Sequence, residues 1–336
     1  MTITKHKWLV ALVILPVVIL AAIIGIMVGF VPGRAPLPHP NGYDDLVKAG
    51  EEVSGPVSSF FELDYDKLED LVSVNAEPLR LLRLGLTRSC RVPTDSALTN
   101  TPGLMNDLAG MKRLAQLLAA EGRLRELDNQ PEKAAQSYMD AIRLGNEMSR
   151  GGLLITRLVG IACEAIGYQA LGKVAPNLSR EEDHVIQAQL EQVDANRVTW
   201  AEVKESEQNC ARYHFRNHLN PITLMAGWWQ SRQAIEKAEV RHKTAIAHER
   251  LLVTDLALRC YQRDKAQSPA CLDELVTNYL SKLPQDPFNG KPFIYRPQIG
   301  TSWLIYSVGP DGVDDGGKPA RRGWPVKGDI LVDSAW

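Results

Sequence analysis

Cysteine is scarce in this chain, five in 336 residues, too few for a disulfide-built scaffold. An excess of one charge is also missing. The 38 Lys and Arg are offset by 40 Asp and Glu, for a formal charge of -2. There is no Lys/Arg-rich run and no aromatic-basic signature, so nucleic acid is not an expected partner. No Gly-x-Ser-x-Gly elbow, phosphate loop or dinucleotide fingerprint occurs. What remains is an ordinary globular mixture, 45% hydrophobic and 23% charged. It excludes wholesale disorder and a collagenous chain.

The first notable presence is itself a lack of charge. Trp8 to Val31 is 24 residues long without one charged side chain. As a helix it rises about 36 Å, enough for a hydrocarbon core of about 30 Å. Sixteen of the 24 are Leu, Ile, Val or Phe, contributing roughly -5 to -10 kcal/mol towards insertion. The run exceeds the core of about 7–15 residues typical of a secretory signal peptide, and no small-x-small site follows. An uncleaved transmembrane helix over 8–31 is therefore expected, kinked at Pro16 and solvated by membrane lipid. Lys5, His6 and Lys7 precede it, and Arg34 is the only nearby basic residue after it. The positive-inside rule then keeps residues 1–7 cytoplasmic and places the rest beyond the cytoplasmic (inner) membrane. Gly25 and Gly29 have the spacing of close helix approach, a pair that also occurs by chance. Pro32, Pro36, Pro38 and Pro40 favour an extended, semi-rigid linker over 32–45.

From about Ser54 to Gln267 the apolar pattern is helical, with few strand candidates. Leu63, Leu68, Leu71 and Val72 open it, and Leu79, Leu82 and Leu86 continue it beyond Pro78. After a loop from Cys90 to Thr101, a strong helix runs through Leu104, Leu108, Met111, Leu114, Leu118 and Leu124. Asp128-Asn129-Gln130-Pro131 breaks the chain. Asp128 or Asn129 is expected to cap the next helix, with Pro131 in its first turn. Further helices are expected over Leu153–Leu171, Glu181–Val193 and Val198–Phe215. Another runs from Pro221 towards Asp264, interrupted near Gly227. Its charged middle, Glu236–Glu249, is expected to face solvent. Gly122, Ala134, Tyr138 and Ala141 resemble the small and aromatic positions of one tetratricopeptide unit. Leu118 and Arg125 depart from that unit's early Trp and Tyr, and no second copy follows at a period of about 34 residues. An ordinary antiparallel helical hairpin is the plainer reading.

Several residues invite chemistry. His214 and His218 are four apart, so one helix face presents both, a spacing that suits a zinc or copper pair. A third ligand and a general base are missing nearby. His248-Glu249 begins like a zinc-protease helix, but Leu252 stands where the second histidine belongs. Glu121, Glu126, Glu181, Glu182 and Asp183 read as a solvated helix face. Trp228-Trp229 reads as a buried pair at a helix junction, or as an interface patch. A Cys260–Cys271 disulfide would close about 12 residues and stabilise by roughly 2–3 kcal/mol. A buried free thiol explains Cys260 equally, since it shares a face with Leu252 and Leu256.

The texture changes after Pro269. Leu272, Leu275, Val276 and Tyr279 read as a short helix, and Asn289-Gly290 as a turn. Phe293–Arg296 and Trp303–Val308 read as strands of a hairpin. Gly309-Pro310-Asp311-Gly312 then opens an acidic, glycine-rich loop. In order, the segments are Ala257–Asp264, Leu272-Asp273-Glu274-Leu275, Leu283–Phe293, Tyr306–Gly312, Gly316-Gly317 and Gly328-Asp329-Ile330. Together, over about 251–331, they resemble the globular part of the type II secretion major pseudopilin. The resemblance implies a long helix packed on a small antiparallel sheet. It also implies calcium in the acidic loop, with Asp311 and Asp329 matching the family's pattern and Asp314 and Asp315 as looser candidates. Calcium takes roughly six to eight oxygens, and glycines let carbonyls turn inward. An EF-hand is excluded, because the twelfth residue from Asp311 is Arg322 rather than Glu. Lys318, Arg321 and Arg322 are an unfavourable insertion for a cation. Gly29-Phe30 lies at the far end of the apolar span, unlike a prepilin cleavage site. About 200 residues separate that span from the pseudopilin-like part, so assembly as a pilus subunit is not expected.

The fold class expected is thus mainly α with a small α+β C-terminal domain. A transmembrane helix and linker precede a helical domain over 46–228 and a pseudopilin-like domain over 229–336. The expected role is a non-catalytic envelope protein that binds partner proteins, in interaction or assembly linked to type II secretion-like machinery. The alternative is a metal-dependent envelope hydrolase built on His214, His218 and unidentified carboxylates.

Overall fold

A computed structural model of the chain describes residues 36–93, 101–217, 221–298, 302–319 and 324–332, without the side chains of 211–231. The expected span at 8–31, its flanking Lys5–Lys7 and Gly25/Gly29 lie outside the described residues.

The chain is mainly helical, with a small antiparallel sheet near its C-terminus. Helix α1 (Gly42–Glu52) starts inside the stretch expected to be linker. The prolines end at Pro40, and Asn41 is already a cap, its side chain accepting the Tyr43 amide. Asp64 likewise caps α2 (Tyr65–Val74), accepting the Lys67 amide at 3.0 Å. Helix α3 (Ala76–Leu86) follows directly.

Helices α4 (Thr101–Leu127) and α5 (Pro131–Glu147) form the expected hairpin. Its turn differs from expectation. Asn129 adopts φ 57°, the left-handed conformation that ends α4, and neither it nor Asp128 caps α5. Asp128 accepts the Tyr65 hydroxyl instead, at 2.8 Å. Helix α6 (Leu154–Val174) packs closely on α5, because Gly145 and Gly160 place backbone against backbone. Together with the turn after it, α6 forms Leu154–Asn177, which is long and apolar enough to cross a membrane by length and composition. Half of its most apolar window is buried in this structure. A Ser179/Glu182 capping box starts α7 (Arg180–Ala195). Helices α8 (Trp200–Asn217) and α9 (Pro221–Lys265) complete the set. The expected break near Gly227 does not occur: α9 runs unbroken for 45 residues, about 68 Å.

Strands β1 (Ile294–Pro297), β2 (Trp303–Ser307) and β3 (Ile330–Leu331) pair antiparallel in that order. The sheet lies against α9, where Trp303 Nε1 donates to Asp255 Oδ1 at 2.9 Å. The buried apolar residues form two clusters. One is aliphatic and joins α1 to α5, with Leu46, Leu82, Leu108, Met111 and Leu118 at its centre. The other runs from α5, α6 and α7 through Leu251, Leu256 and Leu258 of α9 to Phe293, Ile305 and Ile330 of the sheet region.

Candidate functional site

The most unusual chemistry lies inside the helical body. Arg157 and Glu164 are seven residues apart, two turns, so α6 presents both on one face. Arg157 Nη1 and Nη2 donate to the two Glu164 carboxylate oxygens at 2.6 and 3.1 Å. Arg197, between α7 and α8, donates to Glu164 Oε2 at 3.2 Å and to the Tyr168 hydroxyl at 3.1 Å. It also pairs with Glu249 of α9. Arg157 Nε donates to His242 Nδ1 at 3.1 Å, and the His242 ring packs on Trp200. Glu164 and Glu249 are 0% exposed and Arg157 is 1% exposed, so these charges are sealed from water.

Burial alone would raise the Glu164 carboxyl, but Arg157 and then Arg197 outweigh it and hold it below the usual carboxylate range. Burial, helped by the same two guanidiniums, pushes His242 down to about 3. It is therefore a neutral acceptor. Burial also pushes His248 down to about 4. Arg157, Glu164, Arg197 and Glu249 tie α6, the α7–α8 turn and α9 together. The solvated reading of Glu236–Glu249 holds for exposed Glu236 and Lys237 and fails for His242, His248 and Glu249.

A cleft of about 680 Å³ opens beside this core, between α7, α9 and the segment Ser281–Gln285. Glu191, Asp194, Arg250, Val253, Lys282 and Pro284 line it. Arg250 spans its floor, donating to Asp194 Oδ2 at 3.0 Å and to the Gln285 carbonyl at 2.8 Å. Beside it Gln285 forms an isolated antiparallel bridge with Pro292, and the Asp286 amide donates to the Lys291 carbonyl at 2.8 Å.

The acidic turn is organised by its own carboxylates. Asp311 accepts the amides of Val313 and Gly328, both at 3.3 Å. Asp314 accepts the Tyr306 hydroxyl at 2.7 Å, the Gly316 amide at 2.9 Å and Arg296 Nη2 at 3.1 Å. Asp329 is fully buried and accepts the Gly317 amide at 2.7 Å and the Asp315 amide at 3.4 Å. Burial, with Asp314 and Asp315 nearby, raises its carboxyl despite those amides. Among the described residues no three His, Cys, Asp or Glu side chains converge as metal ligands. Arg321 and Arg322 lie outside the described residues.

The remaining candidates are dispersed. Cys260 and Cys271 are free thiols, so the bridge is not formed in this structure. Cys260 is sealed in the core, its thiol pushed up to about 12 by burial, whereas Cys271 is exposed. The side chains of His214, Trp228 and Trp229, and all of His218, lie outside the described residues. The helix-face carboxylates are not uniformly solvated. Glu121 is buried, pairing with Arg83 and accepting Ser137 Oγ at 2.8 Å. Asp183 is buried against Arg263, and burial raises its carboxyl to about 6. Glu126 accepts the Tyr138 hydroxyl and Glu182 serves the capping box.

No family model, curated protein or solved structure matches this chain. The sequence does hold one signal for the buried cluster: Arg157 and Glu164 are the only charged residues between Leu154 and Gly172. Two opposite charges on one face of so apolar a helix require partners inside. The cleft had no such signal, because its walls come from segments about 90 residues apart.

Proposed function

We propose that this chain is a membrane-anchored, non-catalytic envelope protein that binds partner proteins, as an interaction or assembly module linked to type II secretion-like machinery. The cleft between α7, α9 and Ser281–Gln285 carries the reading. It joins apolar walls of Ala188, Val253, Leu283 and Pro284 to the charged side chains of Glu191, Lys282 and the Arg250–Asp194 pair. Apolar walls with a few placed polar groups suit the docking of a polypeptide segment. The perturbed ionisable groups support the same view. His242 and Glu164 are engaged inside by Arg157, away from the cleft lining. The uncharged run at 8–31 supports the anchor, and the lysines before it support the orientation.

A photo-crosslinking amino acid at Gln192, on the cleft wall, tests the binding role in intact cells. Specific crosslinked species from Gln192, and none from the exposed position Phe61 in the N-terminal half, are expected. Equal labelling from both positions, or none from either, would count against it. Fractionation tests the anchor independently: the full chain should stay with inner membranes through an alkaline wash.

A further inference from the structure

The acidic turn after β2 gathers carboxylates closely. Asp311, Asp314, Asp315 and Asp329 lie within 19 residues of chain, and such crowding needs a counter-charge. The donors that meet these carboxylates are N–H and O–H groups. Five backbone amides, the Tyr306 hydroxyl and one guanidinium point at their oxygens. A calcium ion would need the same lone pairs, together with inward carbonyls.

The guanidinium belongs to Arg296 on β1. Its Nη2 lies 3.1 and 3.5 Å from the two oxygens of Asp314. Its plane sits over the Tyr306 ring, 5.5 Å from the centroid. The antiparallel register makes this placement a property of the sheet. Ile294 faces Tyr306 and Arg296 faces Leu304, so Arg296 and Tyr306 are diagonal neighbours and their side chains meet. Tyr306 in turn donates to Asp314 Oδ1, closing a triangle of Arg296, Tyr306 and Asp314.

We propose that Arg296 is the resident cation of this turn, and that the turn folds without a metal ion. The triangle fixes Asp314. Asp314 and Asp329 then hold the amides of Asp315, Gly316 and Gly317 in sequence. The positive charge is carried by the sheet and is present whenever the sheet is formed. This goes beyond the binding role proposed above and does not depend on it.

Amide hydrogen exchange on the full chain tests the idea, followed by mass spectrometry over 306–319. In the unaltered protein, protection should be the same in a calcium chelator and in millimolar calcium. Arg296→Gln should speed exchange of the 313–317 amides about three- to tenfold, the loss of one partly exposed ion pair with a ring contact. Arg296→Lys, which keeps the charge, should recover part of the protection. Slower exchange with calcium in the unaltered protein would overturn the proposal without reference to any variant. So would an Arg296→Gln protein that exchanges like the original, or an Arg296→Lys protein no better than Arg296→Gln.

Discussion

Two helix contacts in this molecule are made differently. In the N-terminal half, α1 and α4 cross where Gly50 meets Gly110, and a Cβ on Gly50 would come within 2.9 Å of the Gly110 backbone. The contact is made by removing side chains, and the surrounding core is aliphatic. In the C-terminal half, α6, the α7–α8 turn and α9 meet through Arg157, Glu164, Arg197 and Glu249. There the contact is made by adding long charged side chains. The first device depends on shape and tolerates changes of pH. The second depends on charge balance, and removing one member leaves an uncompensated ion in the interior.

This contrast predicts an ordered series of effects. Glu164→Gln should be the most damaging, about 3–5 kcal/mol in a denaturant titration, because two buried arginines then share one glutamate. A double replacement, Arg157→Met with Glu164→Leu, should recover much of that loss. If the single change is nearly neutral, charge balance is not what holds this half. Gly110→Ala should cost up to about 3 kcal/mol through overpacking, with no pH dependence. A loss that varied with pH would blur the distinction between the halves.

Acid comes next. His242 has a folded value of about 3 against an ordinary 6.5, so between these values the unfolded chain takes up a proton that the folded chain refuses. Its stabilising effect is complete above about pH 6.5 and declines as pH falls towards 3. The loss should reach about 2 kcal/mol by pH 5. Asp183 acts oppositely, because its raised carboxyl favours the folded state as pH falls from about 6 towards 3.8. The difference in slope between the original chain and His242→Gln therefore isolates the histidine. The smallest effect belongs to the surface: Ser179→Ala should remove about 1 kcal/mol by opening the α7 capping box.

Much of the helical order was legible in the sequence, because an apolar stripe of period 3.6 needs no tertiary information. The α4–α5 hairpin and the β1–β2 pair could be read from Leu104–Leu124, Pro131, Phe293–Arg296 and Trp303–Val308. Other features were not legible. Helix α1 hides behind a proline-rich stretch, and only Asn41 marks its start. The two residues of β3 carry no strand pattern and gain their identity from Ser307 and Tyr306 across the ladder. Glu249 looks solvated in a charged run, yet it is buried against Arg197, about 50 residues away. The cleft and the Arg296–Tyr306–Asp314 triangle arise the same way, from segments that meet only after folding.

Helix α9 extends about 32 Å from His242 back to Pro221. Its other part is clamped by buried ions and the sheet. A rigid rod of that length multiplies angles into distances. A tilt of about 10° at the clamp would displace the Pro221 backbone by roughly 6 Å, given a rise of 1.5 Å per residue.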